Sequence, residues 1–313
     1  MTCGALKKRP KTKIPTFLPA TKLLISDSYC HYLKGPLQSN AELKASVKEH
    51  WEGETCGTRY AASESRARYF EEIEEARYRL EPYIREFANF AESKGKKILE
   101  IGVGAGTDFS NWVKYADKAC GVDLTESAIR LTDERLKLAG IDPSRYELST
   151  SDAENLPFAD GSFDLVYSWG VLHHTPNTEK AFREVFRILK PGAKVKAMIY
   201  HVNSWTGLLL WGRYCLFRGR PFESKKSAIF QHLESPGTKA YTLPETRMFL
   251  EKIGYTDISL STRLGPGDLL KINPSKKYQS AFFRLAWKFY PRWLIETFGR
   301  HFGLYLLIEA KNP

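Results

Sequence analysis

The chain has 313 residues, of which 42% are hydrophobic, 13% aromatic and 27% charged. This composition excludes a wholly disordered, collagenous or fibrous protein and leaves room for one large α/β domain with additions, or two small domains. Lys and Arg exceed Asp and Glu by 11, and the excess lies at the ends: residues 1–50 hold 9 basic and 3 acidic side chains, 51–200 hold 21 and 25, and 201–313 hold 17 and 8.

Positive flanks suit an anionic substrate, a membrane surface or a nucleic acid. Five cysteines, at 3, 30, 56, 120 and 215, form no C-x-x-C pair, which argues against a disulfide scaffold and a cysteine zinc site and for a reducing compartment. No segment reaches the roughly 20 apolar residues of a membrane-spanning helix, and Arg213 splits the best run, Leu208 to Phe217. The N-terminus carries Lys7, Lys8, Arg9, Lys11 and Lys13 without an apolar signal core, and Gly is absent from position 2, so the expected location is cytoplasmic.

Residues 1–50 show no clear period and are expected to be an extension packed on the body. Residues 51–94 are expected to form a helical lid or cap, and 95–313 the main domain. In the cap, Phe70, Ile73, Leu80, Ile84, Phe87 and Ala91 recur near 3.6 residues among four glutamates, predicting amphipathic helices broken near Pro82. Short apolar runs then alternate with helical stretches. Strands are predicted at 97–101, 119–124, 146–149, 163–168 and 194–200, and helices at 125–139 and 177–189, the latter ending before Pro191-Gly192. A helix over 243–252, a strand over 256–263 and a last strand over 302–310 follow, with inserts at about 201–242 and 264–301 rich in Trp, Phe, Tyr, Arg and Lys. Strand and helix in alternation predict a doubly wound, mostly parallel sheet with helices on both faces.

The strongest chemical signal is Leu99-Glu100-Ile101-Gly102-Val103-Gly104-Ala105-Gly106-Thr107, a strand running into a glycine-rich turn that opens a helix. A dinucleotide turn wants Gly where Thr107 stands. The spacing instead suits a ligand with an amino-acid moiety and a ribose. Asp123 ends the next strand and matches a ribose diol, and Asp152 follows the third strand, where it could accept from an adenine amine. Acids at the ends of three successive strands face one crevice.

These residues, with Leu156-Pro157-Phe158, Ser162 to Val166, Leu172-His173-His174 and Leu189 to Gly192, resemble the class I S-adenosylmethionine-dependent methyltransferases. The likeness is greatest to the type 11 branch that includes ubiquinone and menaquinone biosynthesis enzymes, and it is close over about residues 95–200. It implies a Rossmann-like seven-stranded sheet with the last strand antiparallel, and S-adenosyl-L-methionine as cofactor. It places the methionine end near Glu100, Gly102, Gly104 and Gly106, the ribose on Asp123, the adenine near Leu124, Asp152 and Ala153, and the methyl close to Ser168. Residues 51–60 sit where relatives carry a cofactor-covering lid, so that Tyr60 or Arg59 is expected to touch the methionine carboxylate. Cys56 is read as structural, since methyl transfer needs no protein nucleophile.

In-line methyl transfer asks chiefly for alignment, in a pocket that excludes water. Trp169, Tyr200 and Trp205 are expected as walls, with His201 beside them. An acceptor that loses a proton needs a base, for which His173 and His174 are the candidates. The pair lacks a third ligand, and no metal is expected. The basic aromatic inserts, including 208–220 and 282–290, suit a small, amphipathic, acidic or lipid-like acceptor, or docking on anionic lipid. RNA or protein methylation is the alternative; with no N/D-P-P-Y/F motif after the fourth strand, where Ser168-Trp169-Gly170-Val171 stands, nucleic acid is not the expected partner. A non-catalytic relative and a nicotinamide oxidoreductase remain as other readings.

Overall fold

Buried apolar strands assemble first in the structure's logic: Ile98, Leu99, Ile101, Val166, Val195 and Ile199 are almost fully excluded from water, as strands covered on both faces require. The computed structural model describes residues 39–235, 237–271 and 290–313. Within them β1 (Lys97–Ile101), β2 (Lys118–Asp123), β3 (Tyr146–Thr150), β4 (Phe163–Trp169) and β5 (Leu189–Tyr200) pair in parallel, while β6 (Thr256–Arg263) and β7 (Tyr305–Lys311) run antiparallel to each other and β7 antiparallel to β5. The order is β3-β2-β1-β4-β5-β7-β6. This is the seven-stranded Rossmann-like sheet expected from the sequence.

Ten α-helices appear among the described residues: α1 (Asn40–Gly53), α2 (Arg66–Leu80), α3 (Ile84–Ala88), α4 (Thr107–Tyr115), α5 (Glu126–Leu138), α6 (Thr178–Ile188), α7 (Trp205–Tyr214), α8 (Lys225–His232), α9 (Leu243–Ile253) and α10 (Arg292–Phe298). Pro82 separates α2 from α3, since a ring in place of an N–H ends the ladder there. The last strand begins at Tyr305, three residues later than the sequence reading, and two further details differ. The fifth strand begins at Leu189, five residues early, running through Pro191-Gly192 with a register shift between Phe163 and Leu165. And the region up to residue 50, read as lacking a period, holds most of α1, opened by a capping box in which Glu42 N–H donates to the Ser39 hydroxyl and Ser39 N–H to the Glu42 carboxylate. α1 therefore crosses the expected boundary at residue 50. The lysine-rich N-terminus, Cys3, Cys30 and most of the 282–290 stretch lie outside the described residues.

The direction of the strands sets the site. β1, β2, β3, β4 and β5 all end on one edge, where β6 also ends and β7 begins, Tyr305 pairing with both Tyr200 and Arg263. The order reverses between β1 and β4, which opens a crevice at that edge. Both inserts emerge there too, as the chain leaves β5 and runs from β6 to β7.

Candidate functional site

The turn after β1 is shaped by its glycines. Gly102 and Val103 N–H both donate to the Val122 carbonyl, at 2.7 and 3.3 Å, drawing the turn across the end of β2. Gly102 has φ +84°, and a Cβ there would lie 2.1 Å from Val171 Cγ2, so no other residue fits. At Gly104 the backbone is left-handed (φ +53°) but open: a Cβ would meet nothing nearer than Cys56 Cβ at 3.7 Å. Gly106 packs on Thr132 and stands just before α4. A ligand can thus lie against bare backbone at Gly104.

Around this turn the strand ends supply carboxylates. Glu100 is 3% exposed and its Oε2 has no hydrogen-bond partner. Burial raises its pKa well above the ordinary range and Asp108 adds to this, whereas Arg77 opposes it. A buried oxygen without a donor is costly unless a ligand supplies one. Asp123 accepts from Gly104 N–H (3.1 Å), Thr125 N–H (3.0 Å) and the Thr125 hydroxyl (2.8 Å); burial nevertheless raises its pKa. Leu124 beside it is half-buried. Ala153 is buried, and Asp152 accepts from Glu154 N–H and pairs with Lys44 of α1 at 2.5 Å. Ser168 is fully buried, its hydroxyl donating to the Ile101 carbonyl at 3.1 Å across β1 and β4.

The cap closes over these groups. Lys44 also reaches Glu154 at 3.3 Å, Glu52 accepts from Ser127 N–H at 3.1 Å, and Cys56 faces Gly104. Cys56 keeps accessible surface, yet burial pushes its thiol up to about 11. Arg77, Glu234, Glu81 and Arg59 lie close enough to act on it electrostatically. Tyr60 is half-buried, accepting a bond from Arg59 at 3.2 Å, with the guanidinium 5.0 Å from its ring centre.

Beyond Glu100 the wall is aromatic. Trp169 packs against Tyr83, Phe87, Tyr167 and Tyr305, and Tyr305 stacks with Tyr200 at 6.0 Å and 8°. The two tyrosine hydroxyls donate to carboxylates, Tyr200 to Glu234 at 2.7 Å and Tyr305 to Glu81. Glu234 holds a left-handed backbone (φ +49°) that a non-glycine residue adopts at a cost.

Of the two histidines in the turn after β4, His173 lies ring to ring with Tyr200 at 4.1 Å and neither of its nitrogens has a partner. His174 Nδ1 bonds the Ser235 hydroxyl at 2.8 Å, while its Nε2 lies 3.7 Å from Glu234. Burial lowers both pKa values, that of His174 to about 3, so both rings are neutral at pH 7. His201 and Trp205 are not brought into this group. His201 Nδ1 lies 3.2 Å from the Gly303 carbonyl, and Trp205 packs on Phe302 and Gly299. No cluster of three or more metal-ligating side chains occurs among the described residues.

Sequence reasoning missed Lys44, Arg77, Glu81, Asp108 and Glu234. The Ser39-x-x-Glu42 capping box could have announced the helix that carries Lys44. The others sit among many charged residues on helices or in an insert, where spacing alone does not separate a buried charge from a solvated one.

Residues 99–196 match a family model described as a methyltransferase domain. Among curated proteins, the uncharacterized methyltransferase YcgJ of Bacillus subtilis is 29% identical over 155 residues, 50% of each chain. Phosphoethanolamine N-methyltransferase 2 of Caenorhabditis elegans is 35% identical over 118 residues, 37% of this chain and 26% of that protein. The chain thus spans half or less of the length of these relatives. Among solved structures, geranyl diphosphate C-methyltransferase from Streptomyces coelicolor A3(2) superposes with a TM-score of 0.57 at 16% identity, covering 87% of this chain and 98% of its own; at that identity the likeness concerns the fold. S-adenosylmethionine, the cofactor of this family, fits the residues present: the donorless Glu100 oxygen and the open face of Gly104 can receive its amino-acid end, and Asp123 a ribose. Residues 99–196 thus carry a methyltransferase domain, set on a Rossmann-like seven-stranded sheet.

Proposed function

We propose that the protein transfers a methyl group from S-adenosylmethionine to a small, hydrophobic or amphipathic acceptor of acidic or lipid-like character. The observation that carries this reading is the buried Glu100 oxygen without a donor, set beside bare backbone at Gly104 and within electrostatic reach of Asp123. A structural carboxylate would have found a partner inside the fold. The identity of the nematode relative's substrate, named as phosphoethanolamine, supports a small acceptor rather than a nucleic acid.

When bound, S-adenosylmethionine supplies a methyl on a sulfonium, an electrophile that needs no protein nucleophile. Gly102, Gly104 and Gly106 would shape the seat, Glu100 would take the ammonium end, Tyr60 or Arg59 the carboxylate end, and Asp123 the ribose. Leu124, Asp152 and Ala153 would hold the adenine, with Lys44 holding α1 against Asp152. Ser168, at the end of β4, would support the seat on the side of the methyl. Trp169 and Tyr200 wall the acceptor and keep water out.

For an acceptor that releases a proton, neutral, deeply buried His173 and His174 are weak bases. Glu234 is better placed: it touches the Tyr200 hydroxyl, and burial raises its pKa. Glu234→Gln is expected to lower kcat by about 100-fold and to remove the ascending limb of the pH profile, because the carboxylate form accepts the proton and prevails above its pKa, while cofactor affinity stays unchanged. An unchanged profile would return the role to another group.

The reading itself is tested by titration calorimetry with S-adenosylmethionine, which should show saturable binding. Incubation with the labelled cofactor and a cell extract should then place the label on a small amphipathic compound. Label appearing on RNA or protein would favour the alternative acceptor class.

A further inference from the structure

Of the twelve large hydrophobic residues left exposed among the described residues, nine lie in two short segments, 208–222 and 293–302. Both segments belong to the inserts that rise from the strand edge bearing the site. They are joined to each other: Trp205, one turn before Leu208 and Leu209, packs on Phe302, Thr206 bonds Asp268 through its N–H and hydroxyl, and Arg292 donates to the Leu269 carbonyl. The result is one platform at the strand edge that bears the site. Its side chains are not a flat patch, since Phe222 is fully exposed and Phe217 84% exposed on the turns between α7 and α8, and Trp293 and Phe298 stand out from α10.

Charge accompanies the apolar groups. Residues 205–222 contain three arginines, 213, 218 and 220, and no acid, Arg220 pairing with Glu223 just beyond at 2.9 Å, and the second segment holds Arg300 and His301 beside Glu296, which pairs with Lys271. Protruding rings interleaved with cations fit a bilayer, which moulds itself to any side-chain shape, better than a protein partner, which must offer a matching socket for each ring. The cations select an anionic surface. No helix among the described residues is long and apolar enough to cross a membrane, so contact from one side is the mode available to this platform.

We propose that the α7–α8 turn and α10 form a docking surface for an anionic lipid bilayer, holding the pocket mouth at the membrane. This names the source of the acceptor under the function proposed above: a molecule resident in or at the lipid surface.

The test is co-sedimentation of the full chain with vesicles of phosphatidylcholine alone and of phosphatidylcholine with phosphatidylglycerol. The protein should partition onto the anionic vesicles and not the neutral ones, and raised salt should weaken binding. The double variant Phe217→Ser/Phe222→Ser removes two exposed rings that the fold does not use, and should lower the bound fraction at least ~10-fold, since burying each ring contributes substantially to insertion. Its cofactor affinity in lipid-free solution should equal that of the parent, which certifies the fold. Equal partitioning of parent and variant, binding to neither vesicle, or concentration-dependent dimerisation abolished by the same two substitutions would overturn the proposal, the last assigning the face to a second copy. Cofactor binding without vesicle binding would sink the docking surface alone; vesicle binding without cofactor binding would sink the methyl-transfer reading alone.

Discussion

Asp123→Ala is expected to weaken S-adenosylmethionine binding about 30- to 100-fold, measured by titration calorimetry. A carboxylate offers about four lone-pair positions. Three are engaged by Gly104 N–H, Thr125 N–H and the Thr125 hydroxyl, with Oδ1 taking two donors and Oδ2 one. A ribose hydroxyl can therefore add to Oδ2 directly, and a second only by sharing Oδ1. One full and one shared charge-assisted bond amount to roughly 2–2.7 kcal/mol, below the sum of two independent bonds. Asp123→Asn keeps an acceptor oxygen and should lose less. The pH dependence has a definite sign. Burial raises the Asp123 pKa, so affinity should fall as pH drops through it in the parent, and that component should vanish in the alanine variant. Unchanged affinity in Asp123→Ala would remove the ribose from this residue and with it the orientation of the cofactor.

The sheet and its crevice were legible because their signals are local and redundant. Apolar runs, the glycine turn from Gly102 to Gly106 and an acid at the end of β2 each constrain the same few residues, and together they placed β1 to β4 within a residue or two of their observed ends. The start of β5 was misread because Pro191-Gly192 looks like a turn; the strand tolerates it by shifting register, and Gly192 N–H finds the Asn312 carbonyl outside the parallel ladder. α1 was misread because only Leu43 and Val47 are buried, an apolar stripe too narrow to show as a period. The aromatic cluster beyond Glu100 was half legible. Trp169 and Tyr200 follow strands and could be named from position, but Tyr305 starts the last strand and Glu81 and Glu234 come from chain segments 153 residues apart, meeting only through the tyrosine pair. Non-local pairings of this kind leave no spacing in the sequence.

The largest stability effect is expected at Asp108, on the first turn of α4. It is 2% exposed and accepts from Arg77 Nε at 3.0 Å and from Arg77 Nη2, and from the Tyr78 and Tyr167 hydroxyls, each at 3.0 Å. Four donors from α2 and β4 thus converge on one carboxylate, which ties the cap helix to the sheet beside the glycine turn after β1. Asp108→Ala leaves a guanidinium and two hydroxyls without their shared acceptor. Breaking a buried pair from one side costs ~3–5 kcal/mol, and here the lower part of that range applies because Glu81 remains 3.5 Å from Arg77. Against a typical total of ~5–15 kcal/mol, such a loss should shift the urea midpoint visibly. The companion variants separate pairing from packing. Arg77→Met should also destabilise, but the double variant Arg77→Met/Asp108→Leu should recover much of the loss, since removing both charges ends the desolvation penalty. A single-variant cost below ~1 kcal/mol, or strict additivity in the double, would mean that the cap is held by its apolar contacts, Phe70, Ile73 and Ala105, and that the network serves the pocket rather than the fold.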